Sequence, residues 1–255
     1  MSQKAKQLLI GLGLFLLVIF VWYIATRTGG VDSLFLPSPE QVFHSFITLS
    51  KGGLWMHVGV TSLRVLVAVV LSFVVAIPLA ILLYWNKTSR AVLSPVTDFM
   101  RYLPVPALIP LLIIFFGIGE TAKISVLFIG TFFQATTLIF DFIKNIHREY
   151  YELAYVLHFN KRQTYLMQIR AMLPELWDTL RISIGLCWTY VIIAELIATD
   201  IGIGRVIKEA QRFSDSSKLY VAIIVIGIVG LCVDQAMKWY GRRLFRYRYM
   251  RVEVS

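Results

Sequence analysis

The chain has 255 residues, 58% of them hydrophobic and only 16% charged, with a mean hydropathy of +0.72 and a formal net charge of +10. Soluble domains are about 45–50% apolar and about 25% charged, so the composition excludes one. The apolar excess falls in blocks of about 20 residues, enough to cross about 30 Å of hydrocarbon as helix, and a bilayer accounts for the basic excess without nucleic acid if the cations collect on one side.

The first apolar block, residues 8–26, follows Lys4 and Lys6. It exceeds the about 7–15 residues of a signal-peptide core, and Trp22-Tyr23 stands where small residues would precede cleavage, so it reads as a retained span. A polar loop follows, punctuated by Gly29-Gly30, Pro37-Ser38-Pro39 and Gly52-Gly53. Within it, Ser38-Pro39-Glu40 ahead of Val42, Phe43 and Phe46 predicts a short helix at the interface. The second span is 58–85, with Arg64 near one end and Pro78 inside, and it closes on the basic loop Asn86-Lys87-Thr88-Ser89-Arg90.

The third span, 93–116, holds Pro95, Pro104, Pro106 and Pro110. Each proline removes a backbone donor and frees a carbonyl, which protein or a watery cavity must then satisfy. That predicts a kinked, inward-facing span. Gly117 to Thr121 makes a tight turn before the fourth span, 124–142. The fifth and sixth spans are 182–199 and 219–238, ahead of the basic tail GRRLFRYRYMR. Between the fifth and sixth, Ile203, Val206, Ile207 and Ala210 recur at helical spacing and predict an amphipathic helix. The expected fold is a single all-α, polytopic membrane domain with about six transmembrane helices.

Six spans put both termini on one side. The segments on that side hold about 16 Lys and Arg, against about 7 in the alternate loops, so both termini are expected in the cytoplasm.

Between spans four and five lies a polar hairpin, 147–175, that keeps helical order. Leu153, Val156 and Leu157 form one apolar stripe, and Leu166, Ile169 and Leu173 form another, with His158-Phe159-Asn160 breaking the period between them. Two short amphipathic helices joined by a bend suit docking onto something outside the bilayer. A solvated loop is the plainer alternative.

Nothing in the sequence has the spacing of a catalytic or metal site. His44, His57, His147 and His158 are scattered, and there is no P-loop, HExxH, GxSxG or dinucleotide fingerprint. Cys187 and Cys232 read as small buried hydrophobes. Trp22, Trp55, Trp85 and Trp239 fall near span ends, as an interfacial belt would. The charges within apolar runs carry more information. Glu195 is the deepest, with 13 uncharged residues separating it from Arg181. It either locks the helices together through an ion pair or hydrogen bond, or it meets a substrate. Arg101, beside Pro104-Val105-Pro106, has the same two readings, and as a cation in a broken helix it would suit a crossing anion.

The hairpin resembles the EAA loop of binding-protein-dependent ABC importer permeases, whose pattern is Glu-Ala-Ala, three residues, Gly, nine residues, then Ile-x-Leu-Pro. Here Glu152-Leu153-Ala154 stands at the start and His158 takes the place of the glycine. Gln168, Ile169, Arg170 and Ala171 fall on the second motif, and Pro174 matches the second proline of the common ending. LPSPEQV, SLRVLVAVVLS, LPVPALIPLLIIFFGIGETAK, DTLRISIGLCWTYVIIAELIA and IGIGRVIKEAQRF extend the resemblance over almost the whole chain, to the nitrate/sulfonate/taurine branch.

That resemblance implies a type I permease subunit in the bacterial inner membrane, with no chemistry and no cofactor of its own. It implies a second permease copy, two cytoplasmic ATPase subunits that hold ATP and Mg, an extracytoplasmic substrate-binding protein, and a small anionic solute as cargo. Glu152, Ala154, His158, Asn160 and Lys161 are the positions it assigns to ATPase coupling, and Arg101 and Glu195 are the candidates for the translocation pathway. The missing glycine served a bend at φ > 0. Asn160 tolerates that region better than most residues, so the bend is expected to move there; otherwise His158 is strained. A six-span membrane enzyme and an ion-coupled carrier are the other classes, but no catalytic cluster and no internal repeat support them.

Overall fold

The computed structural model describes residues 3–29, 32–145, 148–197 and 200–249, and every regular element among them is helical. In order these are α1 (Gln3–Arg27), α2 (Pro39–Lys51), α3 (Leu54–Trp85), α4 (Lys87–Arg101), a 3₁₀ turn (Val105–Leu108) and α5 (Ile109–Phe116). They continue as α6 (Glu120–Lys144), α7 (Arg148–Val156), α8 (Lys161–Ile197), α9 (Ile203–Arg212), α10 (Ser216–Leu244) and α11 (Arg246–Tyr249). Five helices, α1, α3, α6, α8 and α10, are long and apolar enough to cross a membrane. A sixth crossing forms if α4 and the segment Val105–Phe116, bent by 97° at their junction, count as one span.

The chain groups into two compact units, residues 1–60 with 200–227 and residues 61–199 with 228–255. In the first unit, the Trp22 indole donates to the Pro37 carbonyl at 3.0 Å and stacks on Tyr220 at 6.2 Å between centroids. Helix α2 begins on a capping box: Ser38 Oγ accepts from Gln41 N–H, and Gln41 Oε1 accepts from Ser38 N–H. Such a cap contributes about 1 kcal/mol to the helix it starts. The stripe Ile203, Val206, Ile207 and Ala210 is helical and buried. His57 accepts the Gly202 N–H at Nδ1, 3.0 Å away, which accounts for this histidine structurally. His44 and His158 are exposed, and His147 lies outside the described residues.

In the second unit α6 packs against α8, α4 and α5. The break between α4 and α5 follows from its prolines. Tyr102 ends α4, its N–H reaching back to the Phe99 and Met100 carbonyls, and Pro104 is extended at φ −68°, ψ 104°. Pro106 and Pro110 then fall in the first turns of the 3₁₀ segment and of α5, where no donor is needed. The returning segment buries Val105, Ile109 and Leu112 against Val126 and Ala194. Gly130 allows the close approach: a Cβ there would lie 2.9 Å from the Tyr190 ring and 3.0 Å from Val105. Deeper contacts are polar. The Ser72 and Thr131 hydroxyls meet at 2.6 Å across α3 and α6, the small polar glue expected between helices in lipid.

Two expectations need correction. Cys187 is buried, but Cys232 is exposed. An apolar position in a membrane helix can face lipid as readily as protein, so apolarity alone does not place it in the core. The hairpin also does not end near Pro174. Its second helix is the start of α8, which runs 37 residues without interruption. Pro174 leaves the Arg170 carbonyl without its helical donor, and the Tyr247 hydroxyl supplies one at 2.8 Å. That hydroxyl replaces the one hydrogen bond the proline removes from α8.

Candidate functional site

Two places, the hairpin and a buried charged network, bring polar side chains together with a defined geometry. At the end of α7 the Phe159 N–H bonds the Ala154 carbonyl at 2.9 Å and the His158 N–H bonds the Tyr155 carbonyl at 3.1 Å. This is a Schellman cap, with His158 at the position usually held by glycine, in the left-handed region at φ 50°. The bend therefore stays at His158 and does not move to Asn160. Asn160 instead starts the next helix. Its Oδ1 accepts from Gln163 N–H at 2.9 Å, and Gln163 Oε1 accepts from Asn160 N–H at 2.9 Å, a reciprocal pair that forms the capping box of α8. Lys161 is the first residue of α8, and its side chain lies outside the described residues.

The two caps fix both sides of a bend only a few residues long, which sets the angle between α7 and α8. Ala154 is buried, while Glu152 is exposed. Around Glu152, Leu153, Tyr155, Val156 and Leu157 are exposed as well, Tyr155 by 82% and Val156 by 69%. Apolar side chains outside the spans and left uncovered by their own chain mark a surface that a partner covers.

The network lies on α3, α6 and α8. Glu195 is fully buried; Thr61 Oγ1 donates to its carboxylate oxygens at 2.9 and 3.1 Å, and Arg64 Nη1 donates at 2.5 Å. The other edge of the Arg64 guanidinium grips Glu120 through Nε and Nη2, both at 2.6 Å, and Lys123 Nζ joins Glu120 at 3.0 Å. Two cations thus face two carboxylates, and the cluster is neutral. Arg64 is 4% exposed, whereas the Glu120 side chain is 55% exposed, so the network reaches from the interior to the surface. Sequence reasoning found Arg64 and Glu195 but missed Thr61, Glu120 and Lys123. The signal available was the i, i+3 spacing of Glu120 and Lys123 after the Gly117–Gly119 turn. Arg101 stands apart from this cluster. It ends α4 at the break, its Nη2 3.0 Å from the Tyr102 hydroxyl and its Nε 3.8 Å from Asp98.

Long apolar helices, a broken pair and a capped hairpin are the features a family assignment must account for. The family model described as binding-protein-dependent transport system inner membrane component matches residues 68–246, and the chain belongs to that family. It is the permease subunit of an ABC importer, an inner-membrane component and not an enzyme; the ATPase of such systems is a separate subunit. A probable ABC transporter permease protein of Brucella abortus is 34% identical over 246 residues, covering 94% of this chain and 97% of its own length. The taurine transport system permease protein of Escherichia coli is 27% identical, covering 94% of this chain and 90% of itself. Among solved structures, an inward-facing methionine ABC transporter chain superposes with a TM-score of 0.64 at 17% identity, over 75% of this chain and 97% of that one. That likeness concerns the fold.

Proposed function

We propose that this permease imports a small anionic solute of the nitrate, sulfonate or taurine kind, delivered by an external binding protein. We further propose that it works as a homodimer, with two cytoplasmic ATPase subunits that bind ATP and Mg. Relatives named for taurine, aliphatic sulfonates and bicarbonate support the substrate class, since each handles a small solute bearing an anionic group. Arg101, held at the break in the third span, is the cation we assign to the pathway; Glu195, buried on Arg64 and Thr61, serves it by fixing α8 to α3. Both termini and the hairpin face the cytoplasm in this reading.

The observation that carries it is the continuity of α8. A helix of 37 residues is about 55 Å long, well beyond the about 30 Å of hydrocarbon, so its first turns project out of the bilayer. The same helix carries the hairpin bend at one end and Glu195 near the other. Movement imposed on α7 by an ATPase is therefore transmitted to the spans without a flexible joint.

Glu152 is the probe of that contact. It lies exposed among the uncovered apolar residues of α7, and Glu152→Arg reverses its charge toward the partner, at a cost of several kcal/mol in an interface. The variant should insert normally, lose its ATPase on purification and transport nothing. His158→Gly, which keeps the bend and relieves its strain, should retain the complex. Wild-type ATPase association and substrate-stimulated hydrolysis in Glu152→Arg would remove the hairpin from the coupling path.

A further inference from the structure

We propose that the groove between α8 and the C-terminal end of α10 binds the phosphate headgroup of an anionic phospholipid. A cavity of about 150 Å³ opens there, lined by Trp177, Asp178, Arg181, Lys238, Gly241 and Arg242. Its volume equals that of about five liquid waters, room for a phosphate with part of its ester. One wall is rigid. The Trp177 indole donates to the Met237 carbonyl at 2.9 Å, and a Cβ at Gly241 would lie 2.7 Å from Trp177 Nε1. A side chain at position 241 would force the indole to shift.

The charges around the cavity favour an anion. Asp234 serves two cations at once, Arg181 at 3.4 Å and Lys238 at 2.6 Å. Arg242 lines the same cavity, is exposed, and has no hydrogen bond or ion pair among the described residues. Arg181, Lys238 and Arg242 thus stand against Asp178 and Asp234, leaving a net positive charge at the groove. Arg243 and Arg246 extend it on the same end of the chain, Arg243 lying over the Trp239 ring at 4.1 Å.

Position selects a lipid as the occupant. The uncharged run of α8 begins immediately after Arg181, and that of α10 ends at Asp234, one turn before Lys238, so the cavity sits where hydrocarbon gives way to water. Trp239 and Tyr240, half-exposed beside it, are residue types enriched at that depth. A phospholipid places its phosphate at the same level and its chains along the apolar faces below, and basic pockets between membrane helices hold anionic headgroups in this way.

The full-length permease, purified in detergent with equimolar phosphatidylglycerol and phosphatidylcholine, tests this by native mass spectrometry. Phosphatidylglycerol should be retained at least about fivefold over phosphatidylcholine. Arg242→Ala should lower its retention by about fivefold, the worth of one basic residue at an anionic surface, and Arg242→Lys should restore most of the preference. Lys51→Ala, which removes an exposed cation from α2, should change nothing. Equal retention of the two lipids, or wild-type retention in Arg242→Ala, overturns the proposal. So does displacement of bound phosphatidylglycerol by millimolar inorganic phosphate, which would make this a site for the free ion.

Discussion

At the scale of single residues, the charged network is neutral but asymmetric in depth, and that asymmetry sets what each substitution does. Glu195 is fully buried, with Arg64 and Thr61 aimed at it. Glu195→Ala would leave a guanidinium edge buried without its anion, the situation that costs about 3–5 kcal/mol. Glu120 is half-exposed, so water can replace its carboxylate, and its loss should cost far less, about 1 kcal/mol after discounting for screening. Thermal unfolding of the detergent-solubilised permease should therefore show Glu195→Ala as severely destabilised and Glu120→Ala as close to wild type. Similar effects of the two would mean that Arg64 draws its stabilisation from Glu120 and not from the interior. Only Arg64 and Glu195 of this network were legible in the sequence. A charge interrupting an apolar run is conspicuous, as Arg64 and Glu195 are. Glu120 and Lys123 stand at a helix start beside a glycine turn, where charges are ordinary, and only the fold brings them to a guanidinium on α3.

At the scale of elements, the prolines mark how far local rules carry. Pro104 breaks the third span as its sequence predicts, because Pro106 and Pro110 follow at once and offer the chain two new starts in place of a continued helix. Pro174 stands alone among helix-forming neighbours, and its one orphaned carbonyl, on Arg170, is capped by Tyr247 from 77 positions away. No local pattern contains that residue, so the continuity of α8 was not legible. The left-handed His158 was hidden in a similar way: propensity favours Asn160 for such a bend, but Asn160 is engaged as the cap of α8, and the hydrogen bonds of the Schellman cap hold His158 in place. A double-mutant cycle tests the account of Pro174. Tyr247→Phe removes an exposed hydrogen bond that water can partly replace, and should cost about 0.5 kcal/mol. In a Pro174→Ala background the restored backbone donor fills that role, and the same Tyr247→Phe change should cost almost nothing. Equal costs in the two backgrounds would mean that the hydroxyl does not serve the proline.

At the scale of the whole molecule, orientation follows from charge counted over the connections. Five long helices, with the bent pair counted as one span, would make six crossings and put alternate segments on opposite sides. The N-terminal segment, the connection around Asn86, the hairpin and the tail share one side, and they hold about 16 of the 25 Lys and Arg; the alternate connections hold about 7. The positive-inside rule then predicts the hairpin in the cytoplasm and α2 and α9 outside. The broken span is the weak link in this count. If α4 and α5 entered and left on the same side, everything after them would be inverted relative to the N-terminal segment, and the hairpin would face away from any cytoplasmic ATPase. Single cysteines separate the two arrangements, in a background with Cys187 and Cys232 replaced. Ser33 is exposed before the broken span, on the connection that carries α2; Lys208 is exposed after it, on α9. Ser33→Cys and Lys208→Cys should both react with a membrane-impermeant thiol reagent in intact cells, and Thr88→Cys, exposed at the start of α4, should react only after lysis. Labelling at Ser33→Cys without labelling at Lys208→Cys would show that the broken segment is re-entrant, and would place the hairpin on the wrong side of the membrane for coupling.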